Sequence, residues 1–282
     1  MKLRAYQEHF FDICPEVGNE AARLRRAAKI ASLLERHAGR AIKKPLSELV
    51  CLDLGCSSGI ITCALSPMFK QVIGVDYDDV ALKHIPADCQ AVANVAFARG
   101  DAMRLGLADA SIDVIICAQV YEHVPSDVQL VAEMYRVLKP DGFIFFSGPN
   151  KLYPIEPHYF LPFLHWLPSE WADAWLQRLQ RGDHYYERSR TWWSLQTLFR
   201  QFAVQDVTWD VLVQQAQRDA QSAAPANGTQ APPSAKFVPK LPKAAWAQRW
   251  IATTSKPLQR LIIPVLPNFN WLLFKRADHG KS

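Results

Sequence analysis

Apolar positions along the first two thirds of the chain fall into two alternating patterns. Short unbroken runs recur at Leu49–Leu54, Val72–Val75, Val95–Ala98, Ile112–Cys117 and Phe143–Phe146, most of them closed by a glycine or an acid. Runs this short and this apolar read as strands covered on both faces. Between them the spacing is helical. Asn19 with Glu20 opens a helix that keeps Leu24, Ala27, Ala31 and Leu34 on one face and can end at Gly39. Ile60–Leu65 reads as a helix halted by Ser66 and Pro67, Asp78 or Asp79 caps the next, and Ser126 with Gln129 forms a capping box ahead of Val131, Met134, Tyr135 and Leu138. Lys139-Pro140-Asp141-Gly142 predicts a tight turn before the fifth run. Strands that alternate with helices in this way predict an α/β fold, a doubly wound, mostly parallel sheet with helices on both faces.

Beyond the fifth run the character changes. Residues 148–201 hold five of the nine tryptophans and two short helices capped by Ser169 and Thr191, which suits a helical cap. Phe202–Leu212 returns to a strand pattern. Gln214–Ala235 contains Gln, Ala, Pro and Ser with no aromatic residue, the composition of a disordered linker. Phe269–Phe274 is a final strand candidate. The expected organisation is a core over residues 1–212 that includes the cap, a linker over 213–236, and a C-terminal extension over 237–282.

Composition adds limits. At 49% hydrophobic and 21% charged the chain has the make-up of an ordinary soluble protein. Met1–Gly18 has no continuous apolar stretch of the kind an export signal carries, which predicts a cytoplasmic protein. The six cysteines form no CxxC pair, and several sit in apolar runs, so they read as reduced, buried thiols. The net charge of +5 is uneven. Lys236–Ser282 has nine Lys or Arg against the single acid Asp278, a balance of +8, and the rest of the chain sums to −3. A nucleic-acid binder spreads basic charge over its folded core, and this chain does not. Basic residues interleaved with Trp246 and Trp250, and prolines that would break a spanning helix, predict instead a peripheral membrane contact through residues 236–266.

The candidate chemistry lies at the ends of the strands. Gly55-Cys56-Ser57-Ser58-Gly59 joins a strand to a helix by a turn tight enough for backbone N–H groups to approach a ligand. Asp76 ends the next strand, 21 residues after Gly55, where a carboxylate can accept both hydroxyls of a ribose. Asp101 follows the third strand. The turn also satisfies G-x-S-x-G, the nucleophile elbow of α/β-hydrolases, with Ser57 as nucleophile and Asp113 and His123 in the right order. That reading lacks the strands that precede such an elbow, and it leaves Asp76 and Asp101 without a role. NAD binding is disfavoured because the turn reads G-x-x-x-G and not G-x-G-x-x-G.

Val50–Gly59, Val72–Asp76, Gly100–Ala102 and Leu138–Gly142 together resemble, in order, the motifs of class I S-adenosylmethionine-dependent methyltransferases of the small-molecule branch, over about residues 45–210. The resemblance implies a Rossmann-like seven-stranded sheet with an antiparallel last strand and S-adenosylmethionine as cofactor. It assigns to the cofactor Asp53, Gly55, Cys56, Ser57, Gly59, Asp76, Tyr77, Asp101, Ala102 and Gln119. Asp76 would hold the ribose, and Asp101 with Ala102 would meet the adenine. Ser57 stands where the family usually has glycine. A catalytically silent cofactor-binding subunit carries the same motifs.

For the acceptor, His123 just beyond the fourth strand is the first candidate base. Glu156, His158 and Tyr159, after the fifth strand, are candidate substrate residues. Gln119-Val120-Tyr121-Glu122-His123 resembles the E-x-x-E-H segment that holds a divalent metal in ubiquinone-pathway O-methyltransferases, but neutral Gln119 replaces the first acid, so no metal is expected.

Overall fold

Asn19 caps the first helix with its side chain, accepting from the Ala22 N–H at 3.0 Å, and α1 runs over Glu20–Ala41. The computed structural model describes Tyr6 and residues 19–41, 44–222 and 253–276. In chain order follow β1 (Val50–Leu54), α2 (Ile60–Leu65), β2 (Gln71–Asp76), α3 (Asp79–Lys83), α4 (Ala87–Gln90), β3 (Val95–Arg99), β4 (Ile112–Ala118), α5 (Asp127–Val137) and β5 (Leu138–Pro149). Then come α6 (Ser169–Arg178), α7 (Trp192–Leu198), β6 (Phe202–Asp206), α8 (Thr208–Ser222), α9 (Lys256–Ile262) and β7 (Asn268–Lys275). Each of the five apolar runs is a strand, and the caps read from the sequence hold at Asp78 and Ser126.

The strands form one sheet in the order β3-β2-β1-β4-β5-β7-β6, with β7 antiparallel to both its neighbours and the rest parallel. Strand residues alternate between two cores, as the pleat requires. Leu52, Leu54, Ile115, Cys117, Ile144 and Phe146 pack with α5 on one face. Cys51, Val114, Ile116, Phe143 and Phe145 pack with α1 and α2 on the other. The register pairs Leu54 with both Val75 and Cys117, so the carboxyl ends of β1, β2 and β4 finish level with one another. The order reverses at β1, and the crevice it opens lies between the β1 and β4 ends.

Several expectations need correction. The strand pattern expected to reach Leu212 ends at Asp206. The Asp206 carboxylate then accepts from the Thr208 N–H at 2.9 Å and starts α8, whose Trp209, Val211 and Ala216 are buried. The linker expected over 213–236 therefore begins no earlier than residue 223, and the rest of it lies outside the described residues. The turn expected at Lys139–Gly142 is an irregularity inside β5: Ile112 pairs with Leu138 and Val114 with Phe143, so three extra residues loop out of the pairing. Pro168, not Ser169, is the N-cap of α6, while Thr191 caps α7 as expected. Cys63 and Cys89 form a disulfide, and Cys51, Cys56 and Cys117 are free and buried. Their 26-residue separation hides that α2 and α4 bring the two Cα atoms to 5.7 Å.

A buried tyrosine helps to fasten the cap to the sheet. The Tyr121 hydroxyl donates to the Pro149 carbonyl at 2.6 Å and accepts from the Arg190 N–H at 3.0 Å. Its ring fills the space above Gly148, where an added Cβ would lie 2.3 Å from it. Arg190 also pairs with Asp127 at the start of α5, its Nη2 at 2.8 Å. Tyr121→Phe is expected to cost about 1–3 kcal/mol in urea unfolding, because a buried carbonyl and a buried N–H both lose their partner. An unchanged midpoint would show that the cap is held elsewhere.

Candidate functional site

Gly55 and Gly59 take left-handed backbone, with φ of 74° and 71°. At Gly55 glycine is also required by space, since a Cβ would meet Val120 at 2.6 Å. Ser57, in the position where glycine was expected, adopts φ 52°, a conformation that costs a non-glycine residue energy and recurs at functional sites. The turn is bound to β2: the N–H groups of Gly55 and Cys56 both donate to the Val75 carbonyl. Asp76 accepts from the Ser57 N–H at 2.6 Å and from the Asp78 N–H at 2.9 Å, which aims its carboxylate over the turn. Asp53, on β1, accepts from the Thr62 hydroxyl at 2.6 Å, and burial lifts its pKa to about 6. Burial also raises Asp76, against the two N–H donors that favour its charged form.

These residues line a cavity of about 400 Å³. Asp53, Gly55, Ser57, Asp76, Tyr77, Ala102 and Gln119 face it, as does His123. Cys56, Gly59 and Asp101 do not line it. Cys56 is buried, and Gly59 is backed by the Phe97 ring, so their part is to shape the turn. Asp101 lies behind Tyr6, whose hydroxyl donates to it at 2.6 Å and whose ring stacks on Tyr77 with centroids 4.0 Å apart and planes 15° apart.

Sequence reading missed Tyr6 and two arginines. Arg23 and Arg26, one turn apart on α1, line the same cavity, with Arg23 near Asp53 and Asp76. An Arg pair on an amphipathic helix is an ordinary solvated face, and only the docking of α1 turns it inward.

The other end of the cavity is built by the cap. Glu156 is fully buried. It accepts from the N–H groups of His158 and Tyr159 at 2.8 and 2.7 Å and from His158 Nδ1–H at 2.7 Å. His158 lines the cavity, and its ring meets His123 edge-on with centroids 4.9 Å apart. Glu156 and Tyr159 stay behind it. Glu122, also fully buried, has one oxygen 3.8 Å from His123 Nε2, and neither of its oxygens has a hydrogen-bond partner among the described residues. The same holds for both carboxylate oxygens of buried Glu187.

Electrostatics divides the two histidines. Burial opposes the charged form of His158, but the Glu156 hydrogen bond and the charges of Glu156, Glu187 and Glu122 overcome it and raise its pKa to about 9. Burial and the neighbouring His158 push His123 well below its ordinary range. Burial lifts Glu122 and Glu187 to about 7, with His158 pulling the other way.

The ligand atoms of Glu122, His123 and His158 lie within 4.8 Å of one another and could hold a divalent cation. Only one of the three is a carboxylate, and hard cations prefer several. Catalysis is therefore expected not to require Mg²⁺. Loss with chelator and recovery with Mg²⁺ would assign the cluster to a metal.

The hydrolase alternative fails on geometry. Asp113 sits at the start of β4, at the opposite end of the strands from His123, and is taken by Lys139 at 2.8 Å and the Val50 N–H at 2.9 Å. No histidine hydrogen-bonds the Ser57 hydroxyl among the described residues.

The sheet order, the glycine turn after β1 and the acids at the ends of β2 and β3 are the arrangement expected of a class I S-adenosylmethionine-dependent methyltransferase domain. Residues 52–146 match the family described as "Methyltransferase domain". A probable S-adenosylmethionine-dependent methyltransferase of Mycolicibacterium smegmatis is 36% identical over 101 residues, covering 36% of this chain and 38% of that protein. A ubiquinone biosynthesis O-methyltransferase of Burkholderia vietnamiensis is 32% identical over 109 residues, covering 36% of this chain and 44% of that one. The chain thus spans less than half the length of these relatives. In fold it is similar to phosphoethanolamine N-methyltransferase 2 of Haemonchus contortus, with a TM-score of 0.50 at 18% identity over 89% of this chain and 52% of the other.

Proposed function

We propose that this protein is an enzyme that moves a methyl group from S-adenosylmethionine to a hydroxyl of a small-molecule, lipid-linked or glycan acceptor. When bound, the cofactor supplies a methyl group already activated on a sulfonium. The residues present fit it. The glycine turn is a cradle that a Cβ at Gly55 would fill, and the Ser57 and Ser58 hydroxyls are buried there without a hydrogen-bond partner among the described residues. Asp76 would accept the ribose hydroxyls, Ala102 would meet the adenine, with Asp101 behind Tyr6 reached only when that ring gives way, and Arg23 in the cavity wall near Asp53 and Asp76 would meet the cofactor's carboxylate.

The observation that carries the catalytic reading is the 2.7 Å contact between Glu156 and His158 Nδ1. It turns the other imidazole nitrogen, Nε2, into the group available to take a proton, and it raises the basicity of that nitrogen. His123, first choice from the sequence, is the weaker base here because its protonated form is doubly disfavoured. In this reading His158 accepts the acceptor's hydroxyl proton, Glu156 orients it, and the cap keeps water away from the in-line approach. The test is incubation of the purified protein with labelled cofactor and a cell lysate, followed by identification of the product. A label on carbon or nitrogen would sink the hydroxyl assignment. No turnover by the protein alone would favour a silent subunit.

Tyr6 occupies the Asp101–Tyr77 corner that adenine would share. Tyr6→Ala is accordingly expected to tighten cofactor binding several-fold in calorimetry. Weaker binding would mean that Tyr6 lies over the adenine instead of giving way to it.

A further inference from the structure

Helix α6 carries two different apolar faces. Ala172 and Leu176 are fully buried in a small core with Leu161, Leu164 and Tyr185. Trp171, Trp175 and Leu179, spaced four apart, form a second stripe that faces solvent, with Trp171 68% exposed. Phe163 and Trp166, whose rings lie 4.7 Å apart at a 47° tilt just before the helix, are about half exposed as well. A helix that has already buried one face has no folding reason to carry tryptophan on the other, and solvent-facing apolar patches of this kind mark interaction surfaces.

The C-terminal segment is tied to the same part of the cap. Trp166 Nε1–H donates to the Lys151 carbonyl, and the neighbouring Asn150 donates through Nδ2 to the carbonyls of Pro264 and Leu266 at 2.8 and 2.7 Å. Leu258, Leu261 and Val265 are exposed on that segment, Leu261 at 75%, beside exposed Lys256 and Arg260. Two segments about 100 residues apart, both with exposed apolar side chains, are thus tied together at Asn150–Lys151.

We propose that this face docks on an anionic lipid bilayer. Tryptophan is the side chain that settles at the membrane–water boundary, its ring in the apolar zone and its N–H toward the headgroups. Charge supports the choice. Exposed Arg178, Arg181 and Lys151 outnumber Glu170 and Asp183 around the cap, and Lys236–Ser282 carries +8. Among the described residues no helix is long and apolar enough to cross a membrane, so the contact is one of lying on the surface. The contact expected from sequence at 236–266, of which 236–252 lie outside the described residues, would in this proposal include a tryptophan face that sequence reading treated as cap. The proposal stands independently of the methyl-transfer reading. The loop that carries Glu156 and His158 shares its small core with α6, so a docked cap is mechanically joined to the acceptor end of the cavity.

The test is co-sedimentation of the full chain with vesicles of phosphatidylcholine and phosphatidylglycerol at 7:3. The protein should pellet at low salt, and Trp171→Glu/Trp175→Glu should lower the partition coefficient at least tenfold. Both side chains are exposed, so the variant should keep the wild-type melting curve and cofactor affinity. With wild type, lipids brominated near the headgroup should quench a large part of the tryptophan emission. Failure of wild type to pellet would overturn the proposal. So would an unchanged partition of the double variant, or a dimer in ultracentrifugation that the same substitutions dissolve, since the face would then belong to a second copy.

Discussion

Asp76→Ala is expected to weaken S-adenosylmethionine binding by at least about 100-fold in calorimetry. A ribose held by two hydrogen bonds to a carboxylate loses both, at roughly 1.5–3 kcal/mol each, and every 1.4 kcal/mol is about tenfold. The structure adds a second loss. Asp76 also accepts from the Ser57 and Asp78 N–H groups, so its removal leaves two backbone donors over the turn without their acceptor. Asp76→Asn separates the effects. It keeps the shape and one acceptor oxygen but no charge, and its affinity should fall between the wild type and Asp76→Ala. If both variants bind as tightly as wild type, the ribose is not held here and the cofactor assignment of the whole turn is lost.

His158→Ala is expected to lower kcat about 100- to 10,000-fold, the range over which a positioned general base contributes, and to leave cofactor affinity within about twofold. The pH profile tests the role more closely. A base must be neutral to act, and His158 is raised to about 9, so kcat should rise with pH and level off above about 9. Glu156→Gln removes the partner that does most to hold the proton on His158. The rise should then move to lower pH, with a reduced plateau because the ring is no longer oriented. A purely structural Glu156 would lower the plateau and leave the midpoint in place. A profile unchanged in His158→Ala but shifted in His123→Ala would return the base to His123.

How much was legible in the sequence differs between the sheet and the site. Val50–Leu54 and Val72–Asp76 could be read as buried strands because an unbroken apolar run has few other ways to hide from water. Gly55 and Gly59 could be read as a turn because left-handed backbone favours glycine, and Asp76 and Asp101 followed from the βα repeat, which places successive strand ends side by side. Those inferences rest on local conformational cost and on a period, and both are written in consecutive residues. Where local signals conflicted, the reading failed. Thr208–Ser222 reads in sequence as the end of a strand followed by a polar linker, yet Trp209 and Ala216 fall on one side of a helix that packs on Ile263, while Val211 on its other side joins a separate core.

The chemistry of the acceptor end was decided by tertiary structure. Glu122 and His158 are separated by 36 residues in sequence and yet lie against one another, and nothing in either neighbourhood says so. His123 and His158 have the same intrinsic basicity. One is depressed and the other raised only because burial removes water from both and the fold places Glu156 and Glu187 around one of them. Arg23 and Arg26, the stacking of Tyr6 on Tyr77 and the Cys63–Cys89 disulfide depend in the same way on which surfaces dock. A sequence determines the conformations each stretch can adopt at low cost. The desolvation and the close charges that set a side chain's reactivity come from residues distant in the chain, and those exist only once the fold has closed.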